Sequence, residues 1–271
     1  MKKRIFLMAC GIAVSSWVMS CNTAAKKEAP AEDAAEQTEE AAPEVQEVAA
    51  PNTLTEAEKA DGWVLLFDGT TSNGWRGYNQ ETYPENWQIV DGTMYCKESG
   101  RGEAGAENGG DIVYDKEFEN FKLQLEWKIG EGGNSGIFYL AQEGKDKIWR
   151  TAPEMQVLDN ERHIDAELGE DGNHQAGSLY DLIPAKPQNA KPAGEWNQVE
   201  IIVYKGTVIH KQNGVKVVEY HLWTPEWNEM IKNSKFPTYN PNWAEVASKG
   251  LIGLQDHGDD VWFRSIKIKE M

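Results

Sequence analysis

Basic residues are few in this chain of 271 residues, because 27 Lys and Arg stand against 44 Asp and Glu, a formal net charge of −17. A nucleic-acid partner needs clustered Lys and Arg that release counterions from the phosphate backbone, so nucleic acid is excluded. An acidic polysaccharide would be repelled for the same reason. The charge instead fits a neutral ligand, with or without a bound cation.

The apolar run at the N-terminus, from Ile5 to Met19, is too short for a membrane-spanning helix. It follows three basic residues and no acidic one, which is the pattern of a signal peptide over residues 1–20. The run ends in Val18-Met19-Ser20-Cys21, which resembles a bacterial lipobox, although Met19 departs from the commonest pattern. The resemblance implies a lipid on Cys21, with membrane attachment through that anchor only, in the cell envelope at the periplasm or outer membrane. The alternative is an ordinary signal peptide with an incidental cysteine.

Cysteine is scarce, with 3 residues. Cys10 leaves with the predicted signal peptide and Cys21 carries the predicted lipid, so Cys96 stands alone. A disulfide framework and a cysteine metal site are therefore both excluded.

Aromatic residues are missing from residues 22–60, where acids far outnumber lysines in a background of Ala, Glu, Pro and Gln. Such a segment cannot bury enough apolar surface to fold, so residues 21–60 are predicted to be a disordered tether, with a short helix from Leu54 to Ala60 as a hinge. Residues 61–271 form the predicted domain. A domain of that size buries roughly 70% of its unfolded surface, enough for one core.

Helical periodicity is nearly absent from residues 61–271, and an alternation of period two takes its place. Segment 121–128 alternates apolar with polar residues, and Asn213-Gly214 is a strong hairpin signal. Further strands are predicted over 199–204, 208–211, 216–220, 250–255 and 261–268. Helices are predicted only where a cap residue precedes proline, from Thr224-Pro225 to Lys232 and from Asn240-Pro241 to Ala247. The fold class is all-β, an antiparallel sandwich or jelly roll with a helical insertion.

Tryptophan, in contrast, is abundant, with 11 residues. So many indoles in a polar chain predict either a Trp-rich core or stacking platforms for a flat ligand. Trp127 lies on the core face of its strand. Trp262 has the same strand parity as Arg264 and is the candidate stacking platform.

Glu154 and Gln156 belong to the first concentration of polar strand residues. Alternation places Met155 and Val157 on the core face and these two opposite, and a bulge would bring Asp159 to join them. The spacing is similar to the E-x-D-x-x-E strand of glycoside hydrolase family 16, whose two carboxylates act as nucleophile and acid/base. Gln and Asp replace two of those residues here. A catalytic pair and a polar face that only binds sugar hydroxyls therefore both stay open.

Gln255 and His257 form a second concentration, with Arg264 on the following strand. Histidine is the side chain best suited to move protons near neutral pH, although a lone histidine at a strand end is often structural.

The loop from His163 to His174 is the third concentration of polar residues. It has enough oxygen and imidazole groups for a divalent cation, but its spacing matches no EF-hand or zinc-protease motif. Gly130 to Gly136 lacks a phosphate-loop pattern, so no nucleotide cofactor is expected.

Ordered motifs along residues 61–271 resemble the 3-keto-disaccharide hydrolase domain family. They are Gly62-Trp63-Val64-Leu65-Leu66-Phe67-Asp68-Gly69, Gly74-Trp75, Gly133-Asn134-Ser135-Gly136-Ile137-Phe138-Tyr139, Glu154-Met155-Gln156-Val157-Leu158-Asp159-Asn160, Ala176-Gly177-Ser178-Leu179-Tyr180-Asp181, Gly194-Glu195-Trp196-Asn197, Asn213-Gly214, Gly253-Leu254-Gln255-Asp256-His257-Gly258 and Trp262-Phe263-Arg264. The resemblance implies a concanavalin A-like jelly roll. It also implies cleavage of glycosides whose sugar a separate glycoside 3-oxidoreductase has first oxidised to a ketone at C3.

A C3 ketone acidifies the hydrogen at C2, so a base removes it and the C1 substituent leaves by β-elimination; the enone is then hydrated or released. Given the resemblance, our hypothesis makes His257 or His163 the base. Glu154 and Asp159 are hypothesised as proton donors or, with His163, as ligands of a divalent metal. The expected substrate-binding residues are Asn134, Gln156, Tyr180, Gln255, Trp262 and Arg264. Two alternatives remain, a direct retaining glycosidase that uses Glu154 and Asp159, and a carbohydrate-binding lipoprotein without catalysis.

Overall fold

A computed structural model describes residues 49–102, 105 and 109–271. The predicted signal peptide, Cys21 and most of the predicted tether lie outside these residues. The strands are β1 (Val64–Leu65), β2 (Trp75–Gly77), β3 (Trp87–Val90), β4 (Thr93–Cys96), β5 (Ile112–Tyr114), β6 (Phe121–Ile129), β7 (Asn134–Ala141), β8 (Glu154–Leu158), β9 (Asn197–Tyr204), β10 (Thr207–Gln212), β11 (Val215–His221), β12 (Leu251–Leu254) and β13 (Val261–Glu270). The helices are α1 (Glu56–Ala60), α2 (Pro225–Lys232) and α3 (Phe236–Tyr239).

The strands form two antiparallel sheets. The larger has eight strands in the order β11–β10–β9–β6–β13–β4–β3, with β1 paired to β13, and the smaller has five in the order β2–β5–β12–β7–β8. This arrangement confirms the predicted all-β, concanavalin A-like sandwich of two antiparallel sheets.

Strand alternation decides which side chains enter the core between the sheets. In β6 every second residue is buried, and Trp127 is fully buried. The adjacent β13 follows the same rule, with Val261 and Phe263 buried and the intervening Trp262 only half-buried. Trp87 stacks on Phe263 at 6.1 Å between ring centroids. The predicted Trp-rich core is thus present.

The five-stranded sheet has two different faces, and this difference positions the functional site. Met155 and Val157 of β8 pack in the core between the sheets. Glu154 and Gln156 therefore project from the opposite, outer face. The remainder of that outer face carries a small apolar cluster that includes Phe138 of β7. The apolar cluster does not cover Glu154 and Gln156, and the cleft described below opens over these two residues.

The hairpin between β10 and β11 has the predicted two-residue turn. Asn213 and Gly214 have φ values of 49° and 79°, and Gln212 pairs with Val215 across the strands. Two consecutive left-handed residues are what a type I′ turn requires, which explains the Asn-Gly pair.

The helical insertion is confirmed for α2 and wrong for residues 240–247. Thr224 caps α2 by accepting a hydrogen bond from the backbone of Trp227. Asn240 ends α3 and has the extended backbone and the side-chain bond to the Asn242 amide that are typical of an N-cap. The residues after it form only turns, in which the bonded amides donate to a carbonyl oxygen three residues back. The carbonyl oxygens of Ala244 and Val246 accept instead from the indoles of Trp227 and Trp223. None of the helices in the described part of the chain is long and apolar enough to cross a membrane.

Residues 49–60, predicted as the end of the tether, are folded onto the eight-stranded sheet. Asn52 donates to the carbonyl oxygen of Gly92 and accepts from the Ser265 amide. Helix α1 has a capping box between Thr55 and Glu58, and Glu58 also pairs with Lys267 of β13. Among the described residues, these contacts attach residues 52–58 to the eight-stranded sheet.

Candidate active site

A cleft of about 420 Å³ opens on the outer face of the five-stranded sheet, at the ends of β7 and β8. Its lining residues come from strands β7 and β8 and from four connections between strands: Asn134, Trp149, Arg150, Glu154, Gln156, His163, Ile164, Asp165, Tyr180, Lys235, Phe236, Tyr239, Gln255 and His257. The volume lies in the range of about 300–1,000 Å³ that is typical of small-molecule sites.

The floor of the cleft is polar and nearly inaccessible to solvent. Glu154 is buried and Gln156 is only 1% exposed. The Glu154 carboxylate lies across Gly136 of β7, where a Cβ atom would overlap its Oε1 atom. Glycine at this position therefore allows the carboxylate to lie over the neighbouring strand.

Several buried polar atoms at the floor have no hydrogen-bond partner among the described residues. They are Nε2 and Oε1 of Gln156, Oε1 of Gln255 and Nδ1 of His257. Buried polar groups are nearly always hydrogen-bonded, so a cluster of unpartnered ones at a cleft indicates a place for a polar ligand or water.

His163 and His257 meet at one side of the floor, with ring centroids 6.1 Å apart. Nδ1 of His257 lies 3.6 Å from Oδ2 of Asp259, and that carboxylate oxygen accepts from the Asn134 amide. Potential ligand atoms of His163, His257 and Asp259 all lie within 4.8 Å of one another. Sequence reasoning missed Asp259, although its position two residues after His257 was a usable signal.

Two features of His163 favour a neutral ring in one tautomer. Its Nδ1 atom accepts a hydrogen bond of 3.1 Å from the Asp165 amide, so the proton of the neutral ring is on Nε2. Burial and the neighbouring His257 lower the pKa of His163 below its usual value of 6.5. The ring is therefore a hydrogen-bond donor at neutral pH.

A third histidine, His174, holds the loop behind the cleft. Its two ring nitrogens contact Asp165 at 2.8 Å and Asp181 at 2.7 Å. Burial opposes protonation, but these two carboxylates outweigh it and raise the pKa of His174 to about 9. His174 is thus a cation at neutral pH, fixed between the carboxylates of Asp165 and Asp181. All three residues belong to the connection between β8 and β9, which also contains His163 and Tyr180.

Tyr180 and Lys235 form the wall next to this loop. Lys235 Nζ lies 3.3 Å from the Tyr180 hydroxyl and 3.4 Å from Oδ1 of Asp181. Burial and the nearby carboxylates of Asp165 and Glu154 raise the pKa of Tyr180, so it stays a neutral hydroxyl.

Comparison with known proteins gives the family. A family model described as the 3-keto-alpha-glucoside-1,2-lyase-like domain matches residues 62–269. The chain belongs to this family. A protein of Bacteroides thetaiotaomicron named 3-keto-disaccharide hydrolase is 46% identical to this chain. The alignment, 287 positions long with its gaps, covers 99% of each chain. The family resemblance predicted from the motifs is therefore confirmed.

Two solved structures of presumed glycosyl hydrolases from Parabacteroides distasonis are similar to this family member. The first has a TM-score of 0.72 and 30% identity, and covers 82% of this chain and 100% of that chain. The second has a TM-score of 0.60 and 29% identity, with coverages of 77% and 99%.

The structure brings together seven of the residues predicted from the sequence. All of them line the cleft of this family member: Asn134, Glu154, Gln156, His163, Tyr180, Gln255 and His257. Their roles stay predictions.

Asp159 does not line the cleft. Its buried carboxylate accepts from the backbone amides of Gly132 and Glu161, and so caps the turn that follows β8. The expected bulge before Asp159 is wrong, because β8 pairs with β7 without a register shift as far as Leu158. The predicted grouping of Glu154, Asp159 and His163 as metal ligands is likewise not formed.

Arg264 and Trp262 also lie elsewhere, on the outer face of the eight-stranded sheet. Arg264 donates to Glu126 at 2.8 Å and stacks over Trp196, and Trp262 stacks on Tyr95 at 4.9 Å between centroids. The expectation placed them beside His257 because β13 follows β12 in sequence, but the chain changes sheets between these strands.

Proposed function

We propose that the protein cleaves the glycosidic bond of 3-keto-glycosides. A base removes the C2 proton to give an enolate, the ketone re-forms as the C1–O bond breaks, and water adds to the C1=C2 bond of the enone. The observation that carries the proposal is the family match over residues 62–269. The relative named 3-keto-disaccharide hydrolase supports the substrate class.

His257 is the proposed base. Its Nδ1 atom faces Asp259, so a proton on Nδ1 leaves Nε2 with a lone pair to accept the proton from C2. The Asp259 carboxylate stabilises the imidazolium that results.

His163 is the proposed electrophile. Its Nε2–H donates to the ketone oxygen and continues to do so as that oxygen gains charge in the enolate. The unpartnered amide groups of Gln156 and Gln255 bind sugar hydroxyls, together with Asn134 and Tyr180. We keep Glu154, on the same floor, as the proposed proton donor to the leaving oxygen.

A divalent metal ion is a proposed cofactor, and the donor set of His163, His257 and Asp259 fits one. Two imidazoles and a carboxylate suit a divalent transition metal, and their ligand atoms are already grouped. A bound ion would supply Lewis-acid polarisation of the ketone. With both histidines used as ligands, Glu154 is the group on the floor that is left to take the C2 proton.

The test compares methyl 3-keto-glucoside with methyl glucoside, with and without a chelator. We expect turnover of the ketone alone and a loss of about 10²–10⁴-fold in kcat for His257→Ala. Loss of activity with chelator, and a larger effect of Glu154→Gln than of His257→Ala, would assign the base to Glu154. Turnover of methyl glucoside contradicts the proposal in favour of a direct glycosidase, and binding of either compound without turnover favours a carbohydrate-binding protein.

We further propose that the protein is a lipid-anchored envelope enzyme and that a glycoside 3-oxidoreductase supplies its substrate. The lipobox-like Val18-Met19-Ser20-Cys21 supports the anchor. Cys21→Ser should move the protein from the membrane fraction to the soluble fraction, and an unchanged distribution would contradict the anchor.

A further inference from the structure

The two ends of β8 bring different chemistry to the cleft. The carboxyl end, at Leu158, leads to His163, whose ring meets that of His257. The amino end, at Glu154, follows the short 3-10 helix Ile148–Arg150. The four steps of about 3.3 Å between the five residues of β8 span about 13 Å, which is longer than one sugar ring. Residues from both ends line the cleft, so one sugar does not fill it.

Trp149 and Arg150 place two unpartnered donors in the lining at the amino end of β8. Nε1 of Trp149 and Nε of Arg150 are buried and have no hydrogen-bond partner among the described residues, although Nη1 of Arg150 lies 3.2 Å from Asp146. The guanidinium carbon lies 5.2 Å from the centroid of the Trp149 ring, so the two donors are neighbours. Neither group can accept a hydrogen bond, and buried donors without a partner indicate a place for a ligand with acceptor oxygens.

Both residues are held by the segment that contains α3. The Trp243 indole donates to the Trp149 carbonyl oxygen at 2.8 Å, and the Asn240 side chain donates to the Arg150 carbonyl oxygen at 2.8 Å. The Trp149 ring also meets the Tyr239 ring edge to face at 4.9 Å between centroids. The donors are therefore positioned before a ligand arrives, which reduces the conformational entropy lost on binding.

We propose that Trp149 and Arg150 bind the leaving group, and that this group is a second sugar whose oxygens accept from Nε1 and Nε. We call these two residues the leaving-sugar site. The inference rests on the proposed function, in which Glu154 protonates the leaving oxygen. Because Glu154 lies at the amino end of β8, the keto sugar occupies the end with the two histidines and the leaving sugar occupies the end with the two donors.

The experiment measures kcat/KM for three 3-keto-glucosides of the same anomer, with glucosyl, cyclohexyl or methyl leaving groups. The cyclohexyl ring has six members but no hydroxyl groups, so it separates hydrogen bonding from size. We expect the glucosyl compound to be favoured over the other two by about tenfold, and Trp149→Phe and Arg150→Met each to reduce this ratio toward one. Each variant's ratio is compared with that of the wild type, so the acidity of the leaving groups cancels.

Trp149→Phe removes the donor and keeps an aromatic ring against Tyr239. The matched control is Trp223→Phe, because the Trp223 indole bonds to the Val246 carbonyl oxygen and does not line the cleft. It should leave the ratio unchanged. Thermal unfolding checks that all three variants are folded.

Calorimetry with the unoxidised disaccharide and the unoxidised methyl glucoside separates this inference from the proposed function. Tighter binding of the disaccharide that is lost in Trp149→Phe, without turnover of any ketone, would support the leaving-sugar site and contradict the proposed function. Turnover with equal kcat/KM for the three ketones, or with a ratio that neither variant changes, would overturn the leaving-sugar site alone. Absence of both binding and turnover contradicts both proposals.

Discussion

The rings of His163 and His257 meet edge to face at 6.1 Å between centroids, although they are 94 positions apart in the chain. One follows β8 and the other follows β12, and both strands pair with β7. The sheet order therefore brings two imidazoles with different local partners to one end of the cleft. His163 is bonded to a backbone amide, whereas His257 faces a carboxylate.

Asp259→Asn should lower kcat by about 10–100-fold with a smaller change in KM, because it removes the charge that faces Nδ1 of His257. The measurement is steady-state kinetics on a 3-keto-glucoside. Asp260→Asn is the matched control, since Asp260 accepts from Tyr95 and Glu98 instead. Equal losses in the two variants would count against a role for Asp259 at His257.

Local rules were sufficient for much of the fold. Alternation in β6 predicted its buried face, and the Asn213-Gly214 pair predicted the hairpin, because both features depend on neighbours in sequence. The orientation of Glu154 and Gln156 followed from the same alternation.

Features that depend on which strands pair could not be predicted from local sequence patterns. Arg264 was predicted beside His257, but the change of sheet after β12 carries it to the opposite side of the sandwich. Asp159 was predicted in the cleft from spacing alone, and its bonds to the backbone amides of Gly132 and Glu161 determined its position instead. The Asn-Pro helix signal at residue 240 was likewise overridden by tertiary contacts, because the carbonyl oxygens of Ala244 and Val246 accept from distant indoles.

Arg264→Ala tests whether Arg264 lies outside the active site. Arg264 lies in a partly buried pair with Glu126 and stacks over Trp196, so we expect a loss of about 0.5–1 kcal/mol in the free energy of unfolding. The kcat/KM on a 3-keto-glucoside should stay within about twofold of the wild type, because surface changes away from a site rarely affect it. Loss of activity with unchanged stability would place Arg264 in substrate binding after all.

His174→Gln should destabilise the protein in a pH-dependent way. The pKa of His174 is raised to about 9 from an ordinary value of 6.5, so its charge stabilises the fold fully below about pH 6.5, and this contribution is lost as pH rises through 9. We expect the variant to lose about 1–3 kcal/mol at pH 6, and the difference from wild type to shrink toward pH 9.5. Denaturant unfolding at both pH values measures it.

The control for this variant is His221→Gln, at an exposed histidine whose ring contacts Thr207. At pH 6 it should lose less of the free energy of unfolding than His174→Gln, because its ring lies at the surface without a carboxylate on each nitrogen. A constant difference for His174→Gln over the same pH range would mean that His174 is neutral in the folded protein.

Gly136→Ala should reduce kcat on a 3-keto-glucoside by about 100-fold while the protein stays folded, because the added Cβ overlaps the Glu154 carboxylate and displaces it from the floor. Thermal unfolding checks the fold. The deciding measurement is a double-mutant cycle with Glu154→Ala. Once the carboxylate is absent the extra methyl group has space, so Gly136→Ala should cost little more in the Glu154→Ala background. Fully additive losses would mean that the position of Glu154 does not depend on Gly136. The loss in Gly136→Ala would then arise from a change in the backbone of β7.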